Sequence, residues 1–128
     1  MALALLSPPC YLLNLSHMAR ESLGDIEHFV LVALVRLGGE SYGVEIMREI
    51  STRTGRDVAR SAVYVAMRRL EAKGFLHSHL GEATAVRGGR PKRYFGLTKA
   101  GAKQLSETRR AFIRMWADVD DLVHKAVR

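Results

Sequence analysis

Cysteine is almost missing from this sequence. Cys10 is the only cysteine among 128 residues, so an internal disulfide and a cysteine-rich zinc site are excluded. His28, His77, His79 and His124 have no partner ligands at metal-binding spacing, and no metal ion is expected. A chain with a single thiol fits a reducing compartment, and we therefore expect a cytoplasmic location.

Long apolar runs are missing too. No stretch approaches the roughly 18 uninterrupted apolar residues of a membrane span, so no membrane partner is expected. The start of the chain is apolar, but Pro8 and Pro9 interrupt it and no basic segment precedes it, which makes it a poor signal peptide. Residues 1–22 match no packing template. We predict a disordered N-terminal extension there, with a short apolar arm as the alternative, and Met18 is a candidate for the true start.

Motifs for catalysis are missing as well. The sequence has no nucleotide-binding glycine loop, no zinc motif and no nucleophile within a motif that marks its base. The segment Arg87-Gly88-Gly89-Arg90 contains glycines, but it lacks the spacing and the strand-to-helix setting of a phosphate loop. We expect no enzymatic activity and no cofactor.

Positive charge, by contrast, is concentrated in the middle of the chain. The formal net charge is +7, and a chain of 128 residues is expected to form one domain. Between positions 60 and 110, twelve lysines and arginines stand against three glutamates, an excess of nine that leaves −2 for the remainder. Such a distribution favours binding of a polyanion, because neutralised phosphates release their counterions.

Helical periodicity predicts three helices between about Gly24 and Lys73. From Gly24 onward, apolar residues form one wide face of a first helix, which Gly38-Gly39 should end. The residues of this face are Ile26, Phe29, Val30, Ala33, Leu34 and Leu37. A second helix is predicted from Ser41, or from the neighbouring Tyr42-Gly43, to Thr54-Gly55. Its core stripe is expected to consist of Val44, Met47 and Ile50, with Ile46 at one flank. After a short turn, a third helix is predicted at about Arg60 to Lys73, and its helical spacing turns Val63, Met67 and Leu70 to the core. The basic residues of this helix are expected on its solvated side, and they are Arg60, Arg68, Arg69 and Lys73.

A hairpin is predicted after the third helix. Gly74 should end that helix, Phe75-Leu76 lead into one strand, and residues 92–97 form a second strand rich in aromatics. Two helices joined by a brief turn and followed by such a hairpin form a winged helix-turn-helix. The expected fold class is therefore mainly α with a small β-hairpin, with this domain at residues 23–97.

A last helix is predicted within residues 98–128, with Thr98 as its N-cap, running nearly to the chain end. Its apolar side is arranged in two rows of seven-residue spacing, Leu105, Phe112, Val119 and Ala126 in one and Thr108, Met115 and Leu122 in the other. This seam predicts a long C-terminal dimerisation helix that pairs two copies as a coiled coil. Packing of the helix back onto its own domain is the alternative.

Three segments resemble blocks of the PadR family of bacterial transcriptional regulators and occur in the same order. They are SYGVEIMREI, SAVYVAMRRLEAKGFL and RGGRPKRYFGLTKAGAKQL, and the resemblance spans roughly residues 24–105. The resemblance implies a winged helix-turn-helix, a dimerisation helix and usually repression at a palindromic operator. The short final helix resembles that of the compact branch of the family. The chain departs from the family at Ser61, where glycine is common, and at Val65, where proline is frequent.

The predicted DNA contacts lie on the third helix and the wing, and they are Arg60, Ser61, Tyr64, Arg68, Arg69, Arg87, Arg90, Lys92 and Arg93. The resemblance assigns Tyr64 to the DNA backbone, with core packing as the alternative. Arg68 and Arg69 diverge by about 100°, so one is expected to read a guanine and the other to hold a phosphate. Gly89-Arg90-Pro91 suits either an AT-rich minor groove or plain phosphate contacts.

A dimer or ligand interface is predicted on the last helix, formed by Leu105, Phe112, Met115, Trp116, Val119 and Leu122. In the drug-responsive branch of the family, a tryptophan in a Trp-x-x-Val-Asp setting stacks on flat aromatic ligands. The segment from Trp116 to Asp120 is similar to it. A small aromatic effector is therefore one hypothesis for Trp116, and plain interface packing is the other.

The sequence as a whole predicts a homodimeric, sequence-specific DNA-binding transcriptional regulator. A repressor of a palindromic operator is expected, with half-sites about 34 Å apart or a multiple of that distance, and with a small molecule as a hypothetical releasing ligand. A winged-helix protein-interaction module without specific DNA binding is the main alternative. An RNA-binding winged helix is a further one.

Overall fold

The computed structural model describes residues 23–81 and 91–127, and within these ranges it contains five helices and three strands. The predicted extension at residues 1–22 and the wing arginines Arg87 and Arg90 lie outside the described residues. The elements follow in the order α1 (Asp25–Arg36), β1 (Glu40–Tyr42), α2 (Gly43–Thr54), α3 (Arg60–Ala72), β2 (Leu76–Leu80), β3 (Arg93–Leu97), α4 (Lys99–Trp116) and α5 (Asp120–Val127).

The first three helices begin and end close to the predicted positions because local signals define them. The Glu27 carboxylate accepts a hydrogen bond from the Gly24 amide at 3.0 Å, which starts α1. Gly55 (φ 71°) and Gly74 (φ 83°) adopt the left-handed conformation that commonly follows a helix, and they stop α2 and α3. The predicted helix-turn-helix is therefore confirmed.

The core lies between these three helices and the sheet. Val63, Met67 and Leu70 of α3 are fully buried, as their helical spacing predicts. Leu31 and Ile46 are also fully buried, although the sequence pattern omitted Leu31 and assigned Ile46 only to the flank of its apolar stripe. Full burial of such a side chain contributes about 1.5–3 kcal/mol, so the core holds α3 firmly against α1 and α2.

The sheet has one strand more than the sequence predicts. β2 and β3 form the predicted antiparallel hairpin, and β1 pairs with the other edge of β3, which gives the order β1-β3-β2. Ser41 of β1 lies opposite Phe95 of β3, and both are buried. β1 is only three residues long, too short for an alternating pattern to reveal it.

One basic residue of α3 is not solvated as predicted. The Lys73 ammonium lies 2.8 Å from the Glu27 carboxylate, and the two side chains are only 15% and 10% exposed. The prediction that Lys73 lies on the solvated side with Arg68 and Arg69 is therefore wrong. Lys73 follows the last turn of α3 and reaches α1, where the carboxylate of Glu27 compensates the burial of its charge.

Thr98 caps α4 as predicted and also connects it to the preceding elements. Its hydroxyl accepts a hydrogen bond from the Gly101 amide at 3.0 Å and donates one to the Gly74 carbonyl at 2.8 Å. Gly101 is buried so close to the Phe75 carbonyl that a side chain at this position would overlap it. α4 is thereby held directly against the junction between α3 and β2.

The C-terminal helix is interrupted, so the prediction of one helix running nearly to the chain end is wrong. α4 ends at Trp116, and α5 begins at Asp120. Asp118 has a φ of 63°, which a right-handed helix does not accommodate, and the Val119 amide donates to the Trp116 carbonyl at 3.0 Å in the turn. Val119 lies in this turn, and the predicted seven-residue seam is therefore not continuous.

Candidate nucleic-acid interface

α3 presents one face to the core and the opposite face to solvent. The core face consists of Val63, Ala66, Met67 and Leu70. With about 100° between successive residues, the opposite side of the helix is a single stripe. This exposed stripe consists of Ser61, Val65, Arg68 and Ala72.

A cleft borders the exposed stripe where the first turns of α2 and α3 meet the base of the wing. It is lined by Tyr42, Gly43, Val44, Arg48, Arg60, Tyr64, Pro91, Lys92 and Arg93. Four of these residues carry a positive charge, and none of the lining residues in the described part of the chain is acidic. We call this surface the basic cleft. Its charge and concave shape suit a phosphate group.

The cations of the basic cleft differ from those between α1 and α2 in their partners. Arg53 and Arg36 donate to the Glu49 carboxylate at 2.9 and 3.1 Å, and these hydrogen bonds lower the pKa of Glu49. Arg56 lies 3.2 Å from Asp25. Within residues 23–81 and 91–127, no carboxylate forms an ion pair with a cation of the basic cleft. Its positive charge is therefore available to an anion.

Tyr64 combines the two roles that the sequence suggests for it. Its half-buried ring packs against the core, and the residue also lines the basic cleft. The phenol lies against Gly43, the first residue of α2, where any side chain would overlap it. The first turn of α2 and the Tyr64 hydroxyl thus lie side by side, and helix N-termini with nearby hydroxyls are favourable places for phosphate.

Tyr42 and Arg48 are members of the basic cleft that sequence reasoning missed. The Lys92 ammonium lies 4.1 Å from the centre of the Tyr42 ring, a cation–π contact, and Tyr42 meets Tyr94 edge-on at 5.8 Å. Arg48 lies four residues after Val44, which is also in the cleft, and so on the same face of α2. The sequence contained one signal for this: Arg48 is a basic residue on the same face of α2 as Val44, which lies in the first turn.

A histidine and a carboxylate join the outer strands of the wing sheet. The His79 ring stacks on Tyr94 at 5.7 Å, and its Nε2 lies 2.9 Å from the Glu40 carboxylate. The hydrogen bond to Glu40 raises the pKa of His79. Arg93 is held in the same sheet, because its guanidinium donates to the Ser78 hydroxyl at 3.1 Å. These contacts fix the base of the wing beside the basic cleft.

The described members of the predicted DNA-binding set lie on the exposed stripe and on both of its flanks instead of sharing one cleft. Ser61 and Arg69 line a recess beside the N-terminus of α1, on the side of α3 away from the basic cleft. Arg60, Lys92 and Arg93 lie within the cleft. The helix therefore carries positive charge on both flanks of its exposed stripe.

The residues predicted for the dimer or ligand interface divide into two groups. Leu105 packs against the core, and the Phe112 ring lies 6.0 Å from that of His28 on α1. The His28 Nδ1 is buried without a hydrogen-bond partner among the described residues, and burial lowers the pKa of His28. The second group comprises Met115 (79% exposed), Trp116 (46%), Leu122 (61%) and the half-buried Val119, and Phe112 of the first group is itself 56% exposed.

Membrane-spanning helices and metal-binding clusters are absent from residues 23–81 and 91–127. No helix there has both the length and the apolar character needed to cross a membrane. The same residues contain no group of three or more histidine, cysteine or acidic side chains that could hold a metal ion.

The arrangement of α1, α2 and α3 with the wing sheet defines a winged helix-turn-helix, a DNA-binding fold. Residues 30–107, more than half of the chain, match the model of the PadR-like family of transcriptional regulators. The chain therefore belongs to the PadR-like family, whose members are transcriptional regulators and not enzymes.

Solved structures share this fold. A transcriptional regulator from Clostridium thermocellum is 26% identical, with a TM-score of 0.60 over 80% of this chain and 90% of that one. A PadR family regulator from Clostridium difficile is 21% identical, with a TM-score of 0.62 over 82% and 100% of the two chains. A winged-helix DNA-binding protein from STIV is 20% identical, with a TM-score of 0.55 over 69% and 87%. No curated protein matches the chain.

Proposed function

We propose that this PadR-family regulator is a cytoplasmic, homodimeric repressor that binds a palindromic operator in double-stranded DNA. The observation that carries the proposal is the placement of cations on both sides of the exposed stripe of α3. Arg48, Arg60, Lys92 and Arg93 lie on one side, and Arg69 lies on the other. The major groove of B-DNA is about 12 Å wide and has a phosphate backbone along each edge, which matches this order of charges.

The exposed stripe and the basic cleft would have different tasks in such a complex. Arg68 is exposed on the face of α3 opposite the core, where its planar guanidinium can form two hydrogen bonds with a guanine edge. The residues of the basic cleft would hold phosphates, which set the position of the protein but carry no sequence information. Affinity and sequence preference should therefore depend on different arginines.

A second copy of the chain is the proposed partner of the C-terminal helices. Their exposed apolar residues are Phe112, Ile113, Met115, Trp116, Leu122, Val123 and Val127. Soluble monomers rarely leave a large apolar patch uncovered. Twofold pairing through this surface would present two copies of α3 to half-sites about 34 Å apart, or a multiple of that distance.

Release by a small aromatic molecule is a further part of the proposal. Trp116 is 46% exposed at the last residue of α4, directly before the turn that leads to α5. An indole at the border between two copies can stack on a flat aromatic ligand. A ligand at this place would change how the two copies pair, and with it the distance between the two α3 helices.

Selection of bound fragments from random duplex DNA by the full-length protein tests the proposed function. We expect a palindrome whose half-sites are separated by about one helical turn or a multiple of it. Failure to enrich any sequence would contradict specific DNA binding and favour the protein-interaction module. Equally strong competition by duplex RNA at the same ionic strength would favour an RNA-binding role.

A further inference from the structure

Val65 is an apolar side chain in the middle of an otherwise polar or small surface. It belongs to the exposed stripe of α3, one turn after Ser61 and just under one turn before Arg68, and it is 36% exposed. An apolar side chain at this position makes no contribution to phosphate binding. At the centre of the stripe it can instead pack against an apolar group of a ligand.

Within residues 23–81 and 91–127, Val65 keeps 36% of its surface exposed. The residue lines a recess beside the first turn of α1, together with Ser61, Ala62 and Arg69. The core face of α3 points the opposite way and is already filled by Met67 and Leu70. The exposed part of Val65 thus faces outward, in the direction from which a ligand of α3 would approach.

The charges around Val65 indicate what that ligand is. Arg60 and Lys92 lie on the side of the basic cleft, and Arg69 lies on the side of α1. Val65 is therefore located between two groups of cations. A protein surface has no general reason to match this arrangement, whereas two phosphate backbones with base edges between them do match it.

The chemistry of the four bases limits which of them Val65 can contact. Among the four bases, only thymine presents an apolar group in the major groove, the methyl on its C5 atom. Removing one such group from water is worth about 0.8 kcal/mol, which corresponds to about a fourfold change in affinity for each half-site. This change is large enough to measure and small enough to separate from loss of a charged contact.

We infer that Val65 contacts the 5-methyl group of a thymine in each operator half-site and that it determines specificity at this base pair. This inference rests on the proposed function, because it requires α3 to lie in the major groove. Val65 and Arg68 are three residues apart, about 4.5 Å along the helix axis, and successive bases are about 3.4 Å apart. The thymine should therefore lie within about two base pairs of the base that Arg68 reads.

Uracil substitution tests the inference on the full-length protein. Deoxyuridine differs from thymidine only by the missing methyl and keeps every hydrogen-bonding group of the base. A duplex recovered by selection would carry uracil at one thymine of a half-site at a time, and affinity would be measured by fluorescence anisotropy. For the wild type we expect about a fourfold loss at one position. That position should lie within about two base pairs of the base at which Arg68→Ala relaxes sequence preference.

The Val65→Ala variant identifies the residue responsible. We expect it to bind the thymine and uracil duplexes with affinities within about 1.5-fold of each other at this position, because the contacting methyl groups are gone. Alanine favours helix, so the variant should fold, which circular dichroism checks. Val35→Ala removes an exposed valine of α1 instead and should leave the fourfold difference unchanged.

The other outcomes have separate meanings. If no uracil position weakens binding, or if Val65→Ala keeps the fourfold difference, the inference is wrong while the proposed function stands. A uniform loss of affinity in Val65→Ala for both duplexes would assign Val65 to packing and would also overturn the inference. Failure to recover any specific duplex would overturn the proposed function, and this inference with it.

Discussion

Gly43 and Tyr64 lie in direct contact, so closely that a Cβ atom on Gly43 would overlap the phenol of Tyr64. Gly43 is the first residue of α2, and Tyr64 lies one turn into α3. The contact sets how near the two helices approach at the basic cleft. It also directs the Tyr64 hydroxyl toward the first turn of α2.

Gly43→Ala should therefore destabilise the fold by about 1–3 kcal/mol and weaken DNA binding, because the methyl group displaces Tyr64. In a Tyr64→Ala background the same substitution should cost almost nothing, since the space is empty and alanine favours helix. Urea unfolding of the wild type, the two single variants and the double variant gives the coupling free energy between positions 43 and 64. Additive costs would show that the contact does not control the approach of the helices.

Charge removal should separate phosphate contacts from base reading. Arg48→Ala and Lys92→Ala should each weaken binding to every duplex and reduce the slope of log affinity against log salt by about 1. Arg68→Ala should cost about 1–3 kcal/mol on the operator and much less on random DNA. Salt titrations with both duplexes measure these effects.

Arg53→Ala is the matched control for the charge series, because this arginine is paired with Glu49 outside the basic cleft. Its DNA affinity and salt slope should stay close to those of the wild type. If Arg68→Ala lost equal affinity for operator and random DNA, Arg68 on α3 would not be the residue that reads a base.

Local signals made the helix-turn-helix predictable from the sequence. Gly55 and Gly74 can adopt a positive φ at little cost, so the local sequence determines where α2 and α3 end. The apolar spacing of α3 likewise identified its buried face. The exposed arginines of that helix follow from the same periodicity, and Arg60 and Arg68 are indeed exposed.

The remaining features depend on contacts between distant parts of the chain. Lys73 is buried because Glu27 reaches it from α1, and helical periodicity contains no information about that neighbour. Arg48 and Tyr42 enter the candidate site only when α2 and the wing come together around the basic cleft. The turn at Asp118 interrupts a seven-residue repeat that continues through it, so the repeat alone predicts one helix.

The Lys73–Glu27 ion pair should be important for stability. Glu27→Gln keeps the shape of the side chain but leaves the ammonium of Lys73 largely buried without its carboxylate, and we expect a loss of about 3 kcal/mol. Asp25→Asn removes an exposed ion pair with Arg56 and should cost at most about 1 kcal/mol. Denaturant unfolding compares the two variants. Equal losses would mean that burial does not distinguish these pairs.

The stability of the wing should depend on the charge of His79. Because the hydrogen bond to Glu40 raises the pKa of His79 in the folded state, its stabilising contribution is complete below the unfolded value of about 6.5. The contribution is lost as the pH rises through the folded pKa. Thermal unfolding between about pH 5.5 and 8.5 should show this loss in the wild type but not in His79→Gln or Glu40→Gln.

His28 should have the opposite pH dependence. Burial lowers the pKa of His28 in the folded state, so the unfolded chain takes up this proton first as the pH falls below about 6.5, and stability decreases there. His28→Gln should remove that decrease while leaving the effect of His79 intact. NMR titration of the two imidazoles provides an independent measurement. A folded His28 pKa at or above its ordinary value would contradict the prediction.

Charges placed on the exposed apolar surface of the C-terminal helices should separate the two copies. Met115→Glu and Leu122→Glu alter side chains that are 79% and 61% exposed, so the fold should remain intact. Each should raise the dimer dissociation constant by roughly tenfold or more, because the carboxylate would lose water in the interface. Ser106→Glu adds the same charge to exposed α4 and should have little effect. Sedimentation equilibrium measures the dimer dissociation constants of the three variants and of the wild type.

The hydroxyl of Thr98 joins the end of α3 to the start of α4, and Gly101 leaves no gap between α4 and the Phe75 carbonyl. The part of the molecule that would contact DNA and the part that would contact a second copy are consequently rigidly connected at this point. Any change in the distance between the two DNA-binding parts of a dimer would have to originate beyond this connection. The turn at Asp118 is the first interruption of the helical backbone downstream of this connection.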